Sequence, residues 1–185
     1  MKHQYKGEQV TLTTGPFHVP ALNAIGPNDR LIVTLKNPTN EPLMAAVMIT
    51  QCPDLFPPPP PRPGLPTFNF VTAEDVFAMV PMAIIPPMSC NRLEFSFPFL
   101  IPEVGLGTFR VTTKGDYQIC NCQPICGKLE ISVAGGTSRP ADAPEAFPGL
   151  LIGDPNLLFR YENFVLCQET EPCLDNLDCN DCCCC

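Results

Sequence analysis

The chain contains no tryptophan and only two histidines among 185 residues. That scarcity bears first on catalysis, because general acid–base and triad chemistry usually recruit an imidazole. His3 lies in a polar N-terminus and His18 sits between Phe17 and Val19, so a surface or packed histidine is expected at each. The sequence has no Cys-x-x-Cys-His, which removes covalent haem attachment. Gly105-Leu106-Gly107 lacks the third glycine and the later acidic residue of a dinucleotide fingerprint and reads as a turn. No catalytic residue and no cofactor are assigned, and the chain is not read as an enzyme.

Positive charge is also sparse. Eleven Lys and Arg stand against 19 Asp and Glu, for a net charge of −8. Scattered singly, these cations do not make the clustered surface that nucleic acid requires. An anionic surface likewise discourages docking on anionic lipid. Long apolar runs are missing too: Pro81, Pro86 and Pro87 interrupt the best candidate, so no membrane span is expected. Met1-Lys2-His3-Gln4-Tyr5-Lys6 is followed by neither an apolar region nor a small-residue cleavage site, and Sec-type export is not expected.

What is abundant is proline, glycine and cysteine. The 24 prolines and 12 glycines make about a fifth of the chain, against roughly 12% in ordinary domains, which disfavours long helices. Instead, period-two alternation recurs. Leu31, Val33 and Leu35 alternate with Ile32, Thr34 and Lys36, and Asn37-Pro38-Thr39-Asn40 then predicts a hairpin turn into a strand over 43–49. That second strand is apolar on both faces, as expected of one covered on both sides, a neighbouring subunit being one candidate cover. Leu93, Phe95 and Phe97, then Phe109 and Val111, then Leu129, Ile131 and Val133 continue the alternation. Thr72 to Phe77 reads as a loop with a single capped turn. The proline run 57–66 reads as a stiff surface loop.

These patterns predict an all-β fold, an antiparallel β-sandwich of jelly-roll or immunoglobulin-like type, over residues 1–134. A Gly/Pro linker is predicted over 135–149, an apolar arm over 150–166 and an acidic Cys-rich tail over 167–185. The arm, with Leu157, Phe159, Tyr161, Phe164 and Leu166, either returns to its own sandwich as an edge strand or adds a strand to a neighbour.

Twelve cysteines are present, and the chain ends on four in a row, Cys182, Cys183, Cys184 and Cys185. Adjacent thiols do not comfortably close on each other, because disulfide geometry wants separated Cα atoms and opposed Cβ vectors. Cys167, Cys173 and Cys179 precede them, among Glu169, Glu171, Asp175, Asp178 and Asp181 with no basic residue. Cys120, Cys122 and Cys126 share one hairpin connection, and strand parity puts Tyr117 and Ile119 inward with Cys120 and Cys122 outward. Cys52 and Cys90 are expected at loops. The acidic surroundings argue against redox catalysis and for structural bonding. A metal-sequestering tail is the alternative: Cys179-Asn180-Asp181-Cys182 is a Cys-x-x-Cys, yet no second knuckle at zinc spacing accompanies it, and no metal ligand is assigned.

The sandwich pattern over 10–133, the missing signal and the vicinal cysteines together resemble the subunits of endospore appendages of spore-forming bacteria. Those are jelly-roll proteins made without signal peptides, stacked by strand augmentation and joined by intersubunit disulfides through a cysteine-bearing extension. The resemblance is of architecture, and it departs in one respect: the appendage extension is N-terminal, whereas here residues 1–9 hold no cysteine. It implies a self-assembling filament on a spore or cell surface, with copies of the same chain as partners. The interchain disulfide candidates are Cys120, Cys122, Cys126, Cys167, Cys173, Cys179 and Cys182 to Cys185.

Overall fold

The computed structural model describes residues 9–52, 73–97, 107–120, 123–143 and 145–167. They form strands β1 (Val10–Val19), β2 (Arg30–Asn37), β3 (Leu43–Cys52), β4 (Asp75–Ile85), β5 (Ser89–Ser96), β6 (Gly107–Gly115), β7 (Gln118–Cys120), β8 (Gln123–Ile125), β9 (Glu130–Thr137), β10 (Ile152–Phe159) and β11 (Val165–Leu166), with a single 3-10 turn at Tyr161–Asn163. A five-stranded sheet runs in the order β11-β1-β6-β3-β4 and a four-stranded sheet in the order β10-β9-β2-β5. Every pairing is antiparallel, and the two sheets form a sandwich, as the alternation predicted.

The core follows from parity. Leu31, Val33 and Leu35 of β2 and Ile131 and Val133 of β9 meet Val47 and Ile49 of β3, Phe109 and Val111 of β6, and Leu12 and Val19 of β1. Offset and edge-on rings fill one end: Phe97 to Phe109 at 4.9 Å, Phe77 to Phe109 at 5.5 Å and Phe17 to Phe159 at 4.6 Å between centroids. Such geometries suit the ring quadrupoles.

The expected hairpin at Asn37 is instead a crossover. β2 and β3 lie in different sheets, and the Asn37 side chain is the reason. Fully buried, it donates to the carbonyls of Glu41 at 2.7 Å and Ile85 at 3.0 Å and accepts from the Thr39 amide at 2.9 Å. Those bonds bend the chain away from the β2 edge toward the opposite layer. The segment expected as a loop near residue 75 begins β4, because Val76 and Val80 are strand formers that pair with Thr50 and Val47 of β3. Among the described residues β4 is the edge of its sheet, blunted by two register shifts and by Pro81.

The domain boundaries also move. β9 continues through Gly135 and Gly136 to Thr137, so the sandwich does not stop at residue 134. Glycine serves there because a Cβ at Gly135 would lie 2.7 Å from Leu157 Cδ1, and one at Gly136 would collide with the Ile152 carbonyl oxygen. Through this close approach the expected arm folds back within its own chain: β10 pairs with β9 and β11 pairs with β1. Leu157 and Phe164 are fully buried in the core.

A buried polar knot closes the other connection. Asp29 accepts from the Ser138 amide at 2.8 Å and hydroxyl at 2.9 Å, and Arg139 Nε lies 3.2 Å from it. Asn28 donates to Asp154 at 3.0 Å and to the Pro20 carbonyl at 2.9 Å. The loop before β2 is thereby bolted to the end of β9 and to β10. Replacing Asp29 by Ala strands the buried Ser138 amide and hydroxyl donors, so urea unfolding of Asp29→Ala should show a loss of about 3 kcal/mol.

Candidate crosslinking site

The thiols are where chemistry is available on this fold, and the two sheets distribute them. Cys167 follows β11 directly; its amide donates to the Thr11 carbonyl of β1 at 2.9 Å, and its side chain is exposed and free. Cys126 ends the β7–β8 hairpin, which packs against β11 and the 3-10 turn, and it too is an exposed free thiol. Gly127 follows at φ +125°, where a Cβ would meet the Gln118 side chain, so the residue after Cys126 must be glycine-like. Cys126 and Cys167 therefore share the β10/β11 side of the sandwich.

Cys90 occupies the opposite side. It lies within β5, the far edge of the four-stranded sheet, with an exposed free thiol. Three strand spacings separate β5 from β10, or about 14 Å. Lys36 is its cross-strand partner and Arg92 stands two residues along the same face. Both cations are more than half exposed, and they pair with Glu130 and Glu94 respectively at 3.5 Å. Cys52 ends β3 as a half-buried free thiol.

Cys120 departs from expectation. Parity predicted an outward thiol, but the residue is 8% exposed and disulfide-bonded. The short β7–β8 hairpin folds onto the 3-10 turn, so its outer face is covered by the returning C-terminal segment. The same cover explains Tyr161, whose hydroxyl donates to the Gln118 carbonyl at 3.3 Å and whose ring lies 6.0 Å from that of Tyr117. Phe159 rests on Phe17, and Leu166 pairs with Leu12. All five arm residues singled out in the sequence are thus built into their own sandwich. Cys122, Cys173, Cys179 and Cys182 to Cys185 lie outside the described residues, as does the Cys-x-x-Cys expected to hold metal. Among the described residues no group of three or more His, Cys, Asp or Glu is placed to hold a metal ion, and no helix is long and apolar enough to cross a membrane.

Cys90, expected at a loop, lies within β5 instead. The usable signal was the alternation of Cys90, Arg92 and Glu94 with Asn91, Leu93 and Phe95, which puts the thiol on the solvent face of a strand.

Two measurements check this geometry. Brief alkylation of the native chain, read by peptide mass spectrometry, should modify Cys90, Cys126 and Cys167 ahead of Cys52, and Cys120 only after reduction. Tyr117 and Tyr161 provide the second. Burial foremost holds both phenols above their ordinary range, and the Thr113 hydroxyl opposes the shift at Tyr117. A raised folded-state value means the folded chain keeps protons that the unfolded chain releases. The stabilisation is therefore complete below about pH 10 and drains away as the pH climbs further. Denaturation series should steepen in that window, and Tyr117→Phe with Tyr161→Phe should flatten the slope.

No family model matches the sequence, and no curated protein or solved structure matches it either.

Proposed function

We propose that this protein is a structural subunit that assembles with copies of itself into a filament or layer on a spore or cell surface and is locked by interchain disulfides. The observation that carries this reading is the placement of free, exposed thiols on opposite sides of one rigid sandwich: Cys126 and Cys167 on one, Cys90 on the other. A contact between unlike sides leaves each copy with a free thiol-bearing side, so it propagates into a filament wherever its rotation does not close a ring. The cysteine-rich sequence after Cys167 carries Glu169, Glu171, Asp175, Asp178 and Asp181, while Cys90 stands between Lys36 and Arg92. Opposite charge steers the tail of one copy toward Cys90 of the next.

Each bond forms by thiol–disulfide exchange. A small-molecule disulfide accepts the two electrons, one thiolate attacks its sulfur, and the second thiolate displaces the small thiol to leave the interchain bond. No arm needs to be exchanged, because the segment over 150–166 completes its own sheets. Sulfur and surface contacts join the copies instead.

Non-reducing electrophoresis of the chain after exposure to a glutathione redox buffer should show a ladder of multiples that collapses with reductant. Cys90→Ser should shorten the ladder, while Cys52→Ser should leave it intact. A monomer band indifferent to reductant overturns the proposal.

A further inference from the structure

The two outer faces of the sandwich differ in kind. On the four-stranded sheet, Arg30 pairs with Glu94 and Lys36 with Glu130 across the strands, and Arg92 with Glu94 along β5, which is a surface built for water. On the five-stranded sheet, the outward positions of β3 and β4 include Met44, Met48, Val76, Met79 and Ile84, and the Arg110–Glu74 pair at 3.7 Å lies beside Thr50 at the Val76 end. Cross-strand register places Met44 beside Ile84, Met48 beside Met79 and Thr50 beside Val76, so these side chains form one continuous stripe.

The exposure is large for side chains of this type: Met44 38%, Val76 61%, Met79 68% and Ile84 64%. Together they present on the order of 400 Å² of apolar surface, which is what an interaction site shows and is about half of the ~800 Å² each partner contributes to a standard interface. Methionine suits such a face, because its unbranched, polarizable chain adapts to an opposing surface.

The charges at the ends of the stripe say what covers it. Lys114 of β6, cross-strand from Ala46, is exposed at the Met44 end. Asp75 is exposed at the Val76 end. Neither makes an ion pair among the described residues. A two-fold axis through the Met48–Met79 pair that exchanges the two ends sets Lys114 of each copy over Asp75 of the other. The two sheets then cross steeply, as orthogonally packed sheets do. One surface thus carries both halves of its own complement, as an isologous contact requires.

We infer that the Met44–Met48–Met79–Val76–Ile84 face binds a second copy of this chain, methionine face to methionine face, with two Lys114–Asp75 pairs at its ends. This rests on the reading of the protein as a self-assembling subunit and supplies the non-covalent contact that the disulfides then fasten. It also predicts that pairing precedes oxidation and survives without it.

Sedimentation of the full chain in excess reductant isolates this contact from the disulfides. A concentration-dependent dimer is expected. Met79→Lys should weaken it at least about tenfold, because a charge would be buried at the centre of the interface. At concentrations where the parent is monomeric its melting curve should match the parent's, since Met79 is exposed on the single chain. Lys114→Glu should weaken the dimer, and Lys114→Glu combined with Asp75→Lys should restore it, which no partner other than a second copy would produce. A reduced chain that stays monomeric at millimolar concentration overturns the inference. So does a Met79→Lys chain that pairs like the parent, or a charge swap that fails to restore pairing. An oxidation ladder formed by a chain that is monomeric in reductant would leave the crosslinking standing and remove only this face. A reduced dimer that yields no ladder on oxidation would do the reverse.

Discussion

The close approach of Gly135 and Gly136 to β10 is the constraint from which the rest of the molecule is organised. Because no side chain projects from β9 at those positions, Leu157 seats directly over the backbone and the C-terminal segment returns to its own core. That return sets β10 on one sheet and β11 on the other, packs β11 and the 3-10 turn against β8, and brings Tyr161 to Tyr117 and the Gln118 carbonyl. It also decides where the cysteine-rich end of the chain departs. Had the segment gone elsewhere, Phe164 and Leu157 would leave a gap in the core worth several kcal/mol, and Leu12 of β1 would line an unpaired edge.

Much of the fold was legible because the sandwich is built from period-two strands whose inward residues are aliphatic or aromatic. Leu31, Val33 and Leu35, or Leu129, Ile131 and Val133, announce both strand and face. What escaped sequence reading depends on side chains that act at a distance. The Asn37 amide reaches the Ile85 carbonyl across the layers and converts an apparent hairpin into a crossover. Gly135-Gly136 resembles linker sequence until Leu157 is placed above it. Cys120 has outward parity, yet it is buried and disulfide-bonded in the fold. The candidate site was legible in part: Cys126 and Cys167 are exposed, as their setting between turn and strand end suggested, while Cys90 needed parity applied beyond the prolines that precede it.

The outer faces divide the apolar surface unequally, with Lys114, Asp75 and the Arg110–Glu74 pair bordering the methionine stripe of the five-stranded sheet. One sheet shows water a lattice of arginine, lysine and glutamate; the other shows methionine, valine and isoleucine on the outward positions of β3 and β4. Soluble monomers seldom hold that arrangement without a use. The polar knot around Asp29 lies apart from both, and its work is internal: it ties three chain segments into one rigid end and leaves the faces undistorted.

The blunted edge at β4 bears on how such a subunit avoids uncontrolled aggregation. An eleven-residue edge strand beside an oily face is the setting from which cross-β amyloid grows. Pro81 withholds a backbone donor, and the two register shifts twist the ladder out of line, so an incoming strand finds no continuous template. Growth through backbone pairing at this edge is suppressed, so in the assembly proposed above order would come from side-chain fit and permanence from sulfur, which reductant can undo and amyloid would not permit.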